Sequence, residues 1–284
     1  METVMFALAC WLMAIGAWQT TPTASSQSPT AIYEVYAIRY AVLPDFSVAG
    51  LVAGADGQRK IDIAMMVWLI RGGGRNVLVD TGFYRPQFFK SWKVRDFVRP
   101  DDAVAHAGPR SQDITDVILS HAHWDHADGA DLFPKAQIWI QKDEYRYYTS
   151  DAWQPGGKHG GIDPDDVQML VGFNTAGRLH LVDGDQEILP GIRVYTGGRH
   201  TYASQYVSVP TRSGTIVLAS DNMYLYENLE KRAPIAQTFD AASNLKAQDR
   251  MKEIAGDPKR VVPGHDPAVM IRFPQVAPGV VRLD

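Results

Sequence analysis

The sequence predicts an α/β fold of the αββα type, in which two β-sheets pack against each other between helices. Three observations support this fold class. Short runs rich in β-branched and aromatic residues recur along the chain, they fall into two groups, and helical segments follow each group. Such an order favours two sheets, each burying one face against helices. At 284 residues, 45% of them hydrophobic, the chain is long enough to bury this core.

In the first group of predicted strands, the fourth run ends at a cluster of histidines. Its five runs are "AIYEVYAIRYAVL" (31–43), "IDIAMMVWLI" (61–70), "NVLVD" (76–80), "ITDVILS" (114–120) and "AQIWIQ" (136–141). The "RGGGR" stretch between the second and third runs predicts a hairpin turn. A phosphate-binding loop is disfavoured there, because neither a Lys-Ser/Thr pair nor a helix follows. The "KDEYRYYTS" segment predicts a helix.

The second group contains four shorter runs and the clearest predicted helix. The runs are "IRVYTGG" (192–198), "QYVSVP" (205–210), "TIVLASD" (215–221) and "RVVPGHD" (260–266). In the helix at 243–256, Leu245, Met251 and Ile254 share an apolar stripe, Ser243 is the expected N-cap, and Gly256 is the expected end. Between the groups, residues 151–166 predict a long loop, of the kind that often forms a lid or binding loop.

The stretch "SHAHWDH" at 120–126 predicts a metal site. It places His121, His123, Asp125 and His126 directly after a buried strand. Imidazole nitrogen and carboxylate oxygen are the ligands that Zn²⁺ and similar divalent ions prefer. Burying four such groups without a metal would require many compensating hydrogen bonds. One ion needs three or four ligands, so these four groups could also be shared between two ions.

More distant polar residues also follow predicted strands and are candidate ligands. His200 and His265 each lie in a glycine turn after a strand, and Asp221 closes the run "TIVLAS". The remaining histidines have polar or loop contexts and are predicted not to be ligands: His106, His159 and His180.

The ordered pattern of these residues resembles the metallo-β-lactamase superfamily of dinuclear hydrolases. The resemblance covers about residues 33–273 and implies an αββα sandwich. It also implies that His121, His123 and His200 hold one metal ion, that Asp125, His126 and His265 hold a second, and that Asp221 and a water or hydroxide bridge them.

Within that superfamily, the sequence is similar to the N-acyl homoserine lactone lactonases. Asp221 is present as the expected bridging carboxylate, and Tyr224 follows it at a spacing that the lactonases share. The resemblance implies that a metal-bridging hydroxide opens a lactone ring, that Tyr224 stabilises the oxyanion, and that Asp125 or Asp221 moves the proton. One departure is Ser204, which stands where many relatives carry a second histidine; different local substrate contacts are therefore expected.

Other functions fit these residues less well. Another dinuclear hydrolase, acting on a different lactone, a thioester as in glyoxalase II, or a phosphoester, is the main alternative, and a non-catalytic metal-binding protein is a lesser one. "DTG" at 80–82 occurs once, so an aspartic protease is disfavoured, and Asp80 is instead expected to orient a ligating histidine. There is no Gly-x-Ser-x-Gly motif for a serine hydrolase.

The aromatic stretches 83–92 and 144–153 have two possible roles. They are either ordinary packing or an apolar wall for an acyl chain.

The remaining expectations concern partners, metal identity and location. A net charge of −4 with scattered Lys and Arg disfavours nucleic acid as a partner. Two divalent ions per chain are expected, with Zn favoured over Fe, Co and Mn. Residues 1–29 contain a short apolar run and a Ser/Thr/Pro tract and predict a cleaved export signal, despite lacking a basic start; without it the protein would be cytoplasmic.

Residues 30–284 are expected to form a single catalytic domain that retains no membrane span after processing. Its predicted partner is a small-molecule lactone. The oligomeric state is left open between a monomer and a homodimer. The single cysteine, Cys10, excludes a disulfide within the chain.

Overall fold

The computed structural model describes residues 31–284, and within them thirteen strands form two sheets. The predicted leader at 1–29, with Cys10, lies outside the described residues. In chain order the strands are β1 Glu34–Ser47, β2 Lys60–Gly72, β3 Arg75–Val79, β4 Asp116–Ile118, β5 Gln137–Gln141, β6 Leu179–Val182, β7 Gln186–Leu189, β8 Ile192–Thr196, β9 Gln205–Thr211, β10 Gly214–Ser220, β11 Val261–Pro263, β12 Gln275–Ala277 and β13 Val280–Arg282.

Eight α-helices accompany these strands in the described part of the chain. They are α1 Pro86–Ser91, α2 Pro100–Ala105, α3 Trp124–Ala127, α4 Lys142–Tyr148, α5 Pro164–Thr175, α6 Tyr226–Glu230, α7 Ala241–Ala255 and α8 Val269–Arg272. Among residues 31–284, none of the helices has the length and apolar character that crossing a membrane requires.

The two sheets are mixed, and each has a definite strand order. The larger sheet runs β12-β13-β1-β2-β3-β4-β5-β6, and the smaller one runs β11-β10-β9-β8-β7. The β2–β3 hairpin at "RGGGR" is confirmed, since Gly72 pairs with Arg75 in an antiparallel register. Strands β3 to β6 pair in parallel, as do β10 and β11, so neighbouring strands present their carboxyl ends on one edge.

Three apolar clusters show that the layers are stacked as helix, sheet, sheet and helix. One cluster lies between the larger sheet and α1 to α5, with Leu78, Phe88 and Ile138 among its members. The second fills the space between the sheets and includes Trp68, which is fully buried. The third lies between the smaller sheet and α7, around Met251. The predicted αββα sandwich is therefore confirmed.

Two local predictions about α7 were wrong. The helix begins earlier than expected, and its N-cap is Asp240, whose side chain accepts from the Ser243 backbone N–H, rather than Ser243 itself. Of the predicted apolar stripe, Met251 is fully buried and Ile254 packs against the third cluster, whereas Leu245 is half-buried and belongs to none of the three clusters. The buried face instead carries polar groups beside its apolar ones: Asn244, Ala247, Gln248, Met251 and Ala255. Gly256 ends the helix in a left-handed conformation, as predicted.

The segment predicted as a long loop is shorter than expected. A helical turn spans Asp151–Trp153, and α5 begins at Pro164. The signals for this helix start were present in the sequence. Asp163 caps it by accepting from the Asp165 N–H, Pro164 occupies the first helical position, and acidic residues fill the first turn.

Candidate metal centre

The candidate ligands lie where strands of both sheets end. His121 follows β4 of the larger sheet. His123, Asp125 and His126 follow on the same stretch of chain. The smaller sheet supplies the other three, with His200 after β8, Asp221 directly after β10, and His265 after β11. Because the two sheets pack face to face, these loops meet at one edge of the sandwich.

The structure brings all seven predicted side chains together in two sets. Within each set, the potential ligand atoms lie within 4.8 Å of one another. The first set is His121, His123, His200 and Asp221, and the second is Asp125, His126 and His265. Three histidines lie in neither set and bond to other groups in the described structure: His106 to the Pro278 carbonyl, His159 to the Ala152 carbonyl and His180 to the Gln137 side chain.

Asp221 joins the two sets through its two carboxylate oxygens. Its Oδ2 lies 3.3 Å from His200 Nε2 and 3.8 Å from His121 Nε2. Its Oδ1 lies 2.9 Å from His265 Nε2 and 3.3 Å from His126 Nε2. One carboxylate oxygen therefore faces each set, which is the arrangement of a bridging ligand.

Four of the five histidines have their Nδ1 atom anchored by a hydrogen bond that faces away from the cluster. The pairs are His121 with Ser120 Oγ at 2.9 Å, His126 with Asp80 Oδ2 at 2.8 Å, His200 with the Gln237 carbonyl at 2.9 Å, and His265 with the Ala64 carbonyl at 3.1 Å. Such bonds orient the ring and direct Nε2 inward, as in metal-ligating histidines.

Two inward-facing atoms of the described ligand sets have no hydrogen-bond partner despite being buried. They are Nε2 of His121 and Nε2 of His126. Buried polar atoms are almost always satisfied, so these orphaned donors and acceptors need an explanation. Convergent imidazole nitrogens and carboxylate oxygens fit a pair of divalent metal ions.

Electrostatics prepare the first set for metal binding. Burial, reinforced by neighbouring histidines, holds the pKa of His121 well below its usual range. Burial likewise lowers the pKa of His123 to about 3, and it lowers that of His200. These rings are therefore neutral near pH 7, which is the form that binds metal. For Asp221, burial acts to raise the pKa, but His265 and His126 outweigh it and hold the pKa well below normal.

In the second set, the histidine pKa values are raised instead of lowered. Burial lowers the pKa of His126 and His265, but nearby carboxylates, chiefly Asp221 and then Asp125, raise both pKa values above normal. This part of the site therefore attracts positive charge, which a bound divalent cation would supply.

Asp80 supports the ligand cluster through hydrogen bonds, as the sequence resemblance implied. It is fully buried and accepts hydrogen bonds from the Ser120 N–H at 2.7 Å, the Ser120 hydroxyl at 2.8 Å and the Ser220 hydroxyl at 2.9 Å, besides contacting His126. The same carboxylate thus joins the ends of β3, β4 and β10.

Gly264 is required by a close approach to the bridging carboxylate. A Cβ atom at this position would lie 2.8 Å from Asp221 Oδ1 and 2.8 Å from the backbone carbonyl of Ser220. Real Cβ atoms essentially never come this close to such groups. The glycine of "PGHD" therefore lets β11 carry His265 up to the end of β10.

A buried carboxylate that sequence analysis missed connects two ligand loops. Glu144, on α4, accepts from the Ala122 N–H, the Thr201 hydroxyl and the Ala203 N–H at 3.1, 2.6 and 2.7 Å. Burial raises the pKa of Glu144 to about 7, against the lowering effect of these donors. In the sequence it resembles the adjacent surface residue Asp143, so only the packing of α4 distinguishes them.

The ligands open into a cavity of about 250 Å³ with an apolar wall. The wall consists of Leu43, Phe46, Leu51, Ile63, Trp92 and Trp124. Trp92 stacks between Phe46 and Trp124, at centroid distances of 5.6 and 5.7 Å. Of the two aromatic stretches, 83–92 therefore contributes Trp92 directly, whereas 144–153 contributes Tyr148 to an adjoining cavity that also contacts His123 and His200.

Tyr224 also lines this cavity, with its hydroxyl 3.2 Å from His200 Nδ1. That nitrogen donates its proton to the Gln237 carbonyl, so the tyrosine proton remains available to another acceptor. Burial, followed by Asp221 and Asp125, raises the pKa of Tyr224 well above normal, so the hydroxyl keeps its proton.

Ser204 does not face the cavity. Its hydroxyl accepts from the His200 N–H at 3.2 Å and donates to Asn222 Oδ1 at 2.8 Å, and the residue is buried. The serine that replaces the relatives' histidine therefore supports the His200 loop and makes no direct contact with the cavity.

Known proteins show the same combination of sequence and fold. N-acyl homoserine lactonases from Bacillus cereus and from a Bacillus species are 30% and 27% identical to this chain, and each alignment covers 72% of this chain and 82% of the relative. In fold, the chain is similar to a quorum-quenching N-acyl homoserine lactone lactonase with a TM-score of 0.71, at 20% identity over 86% of this chain and 97% of that chain.

A second similar structure is AidC, a dizinc quorum-quenching lactonase, with a TM-score of 0.66 at 16% identity over 83% of this chain and 88% of that one. The sequence pattern of the Metallo-beta-lactamase superfamily matches residues 66–265, which include every candidate ligand. The chain therefore belongs to the metallo-β-lactamase superfamily.

Proposed function

We propose that this protein is a metal-dependent hydrolase that opens lactone rings, with N-acyl homoserine lactones as its substrates. The observation that carries the proposal is the position of Tyr224. A buried, protonated hydroxyl lies beside a carboxylate-bridged pair of ligand sets, in a cavity whose other side is apolar. The curated relatives named N-acyl homoserine lactonase support the same reaction.

The proposal includes two divalent metal ions per chain, with zinc as the favoured metal. His121, His123 and His200 would hold one ion, Asp125, His126 and His265 the other, and Asp221 would bridge both. Imidazole and carboxylate suit Zn²⁺, although Fe, Co and Mn accept the same ligands. The dizinc lactonase AidC, which shares the fold, supports the choice of zinc.

The metal ions and the residues around them would have different roles in lactone opening. Two divalent cations held by these ligands would supply Lewis-acid chemistry toward an ester carbonyl and a hydroxide nucleophile near neutral pH. Tyr224 donates a hydrogen bond to the carbonyl oxygen as negative charge develops on it. The ring oxygen leaves as an alkoxide that stays attached to the product, so the product is a hydroxy acid.

Asp125 is better placed than Asp221 to move the proton to that alkoxide. Both oxygens of Asp221 face histidines, and its side chain is 4% exposed. Both aspartates line the cavity, but the Asp125 side chain is the more exposed of the two, at 15%. A general acid must reach the reacting oxygen directly or through one water, so exposure to the cavity favours Asp125.

The apolar wall matches the acyl part of the proposed substrate. Trp92, Trp124 and Phe46 present stacked rings beside the ligands, and Leu43 and Ile63 extend this surface. An acyl chain packed there would lose contact with water, which contributes about 25 cal/mol per Å² of apolar surface buried.

A substrate panel tests the proposal against its alternatives. The zinc-loaded enzyme should open N-acyl homoserine lactones at rates that increase with acyl length. A His123→Ala variant should lose most of this lactone-opening activity. The panel also contains a simple lactone without an acyl chain, a thioester, a phosphodiester and a β-lactam. Turnover of a thioester or phosphodiester without any lactone opening would replace the proposed reaction with the alternative one.

The proposal extends to the location and assembly of the protein. Residues 1–29 would direct export to the periplasm or medium and be removed, as their apolar run and polar tract suggest. Amino-terminal sequencing of protein from the native host tests this, and an intact Met1 on cytoplasmic protein would contradict it. Light scattering of the purified protein distinguishes the homodimer from the monomer.

A further inference from the structure

Glu144 is a carboxylate with an unusual environment. It is fully buried, and among residues 31–284 no Lys or Arg lies within ion-pair distance of it. An isolated buried carboxylate costs free energy unless hydrogen bonds compensate. Here three donors do so: the Ala122 N–H and the Thr201 hydroxyl bond to Oε1, and the Ala203 N–H bonds to Oε2.

The three donors belong to two separate ligand loops. Ala122 lies between His121 and His123, on the loop after β4. Thr201 is next to His200 and Ala203 is three residues after it, on the loop after β8 of the other sheet. No backbone ladder joins these two strands, because β4 and β8 belong to different sheets. Glu144 therefore connects two chain segments that the sheets do not pair.

These two loops supply the three histidines of one ligand set. His200 Nε2 lies 2.9 Å from His123 Nδ1, so a small displacement of either loop would change the geometry available to an ion. In the second set, Asp80 bonds to His126 and the Ala64 carbonyl bonds to His265, and Asp80 also reaches His121 of the first set through the Ser120 hydroxyl. The contacts of Glu144 do not reach that second set.

From this arrangement we infer that Glu144 is a positioning residue that selectively maintains the metal site formed by His121, His123 and His200. The inference rests on the proposed dinuclear metal centre and is independent of the substrate. Residues that orient metal ligands from behind contribute about 10- to 100-fold in metal affinity. Loss of Glu144 should therefore weaken one ion much more than the other.

Metal content of the folded protein provides the first test. The wild-type chain should retain about two zinc ions after dialysis, as the ligand count implies. Glu144→Ala should retain about one. Glu144→Gln keeps an oxygen acceptor for Ala122 and Thr201 but presents an amide donor to the Ala203 N–H, so it should have intermediate affinity. Asp116→Asn is the matched control, because Asp116 is a buried carboxylate bonded to Arg75, away from both ligand loops.

Double variants identify which ion is lost. In the Glu144→Ala background, His123→Ala should remove no further metal, whereas His265→Ala should remove the remaining ion. Cobalt-substituted protein gives an independent spectroscopic readout: the visible absorption of the Glu144→Ala protein should match that of His123→Ala. The Asp116→Asn control should lower the melting temperature and leave both the metal content and the cobalt spectrum unchanged.

Two outcomes would overturn the inference. One is a folded Glu144→Ala protein that binds both ions with wild-type affinity and spectrum. The other is an equal weakening of both ions, which would mean that Glu144 supports the fold in general. If Glu144→Ala does not fold, Glu144→Gln decides by the same criteria. A wild-type protein that binds fewer than two ions would contradict the proposed metal centre itself, which is a separate result.

Discussion

Replacing Asp80 by alanine should destabilise the fold even without metal. Asp80 is fully buried, and four donor atoms converge on its carboxylate. Two of these are hydroxyls, of Ser120 and Ser220, which can rotate toward other acceptors. The other two, the Ser120 N–H and the His126 Nδ1–H, are fixed by the backbone and the ring and would remain unpaired.

The magnitude follows from those two fixed donors. Each buried donor left without a partner costs about 1–3 kcal/mol. Asp80 also has a φ of 59°, a left-handed conformation that costs an alanine roughly 1–2 kcal/mol. The metal-free Asp80→Ala protein should therefore lose about 3–8 kcal/mol of unfolding free energy, a large part of the roughly 5–15 kcal/mol typical of a domain.

Asp80→Asn is the matched variant, because asparagine tolerates the left-handed conformation and keeps one oxygen acceptor. Its amide donor would face one of the two fixed donors, so the expected loss is about 1–3 kcal/mol. Urea unfolding of the metal-free proteins measures both values, and metal titration should show affinity weakened by about 10- to 100-fold. A metal-free Asp80→Ala protein within about 1 kcal/mol of wild type would show that this network is not essential, against the reasoning from buried donors.

Three further perturbations address the site directly. Tyr224→Phe should keep both metals and lower kcat/KM on a good lactone by about 10- to 1,000-fold, the loss of one transition-state hydrogen bond; near wild-type kinetics on every lactone would remove this hydroxyl from the mechanism. His123→Ala should lose about one of the two bound ions and most activity, and full occupancy by elemental analysis would refute its assignment as a ligand. Gly264→Ala should displace Asp221 and cost about 1–3 kcal/mol together with metal affinity, as thermal unfolding and metal titration can show. Its control is Gly172→Ala, in α5, where a Cβ meets no atom within 4 Å; it should be neutral or stabilising by up to about 1 kcal/mol, and equal loss in both variants would contradict the steric argument.

The sequence alone determined the local features of this protein. Strand patterns depend on neighbouring residues, so the β2–β3 hairpin and the runs that end at the histidine motif were predicted correctly. His121, His123, Asp125 and His126 likewise lie within one short stretch, so their spacing can be read directly from the sequence. It indicated metal-ligating chemistry before any contact between distant segments was known.

Only the tertiary structure decided which distant groups support those ligands. Glu144 and its neighbour Asp143 are alike in sequence, and the packing of α4 against two ligand loops buries the first and leaves the second on the surface. On α7, polar Asn244 is buried and its neighbour Leu245 is only half-buried, because the Asn244 side chain bonds to the Asn222 carbonyl and the Ile235 N–H. A polar group can be buried only where its hydrogen-bond partners are, and these partners come from segments remote in sequence.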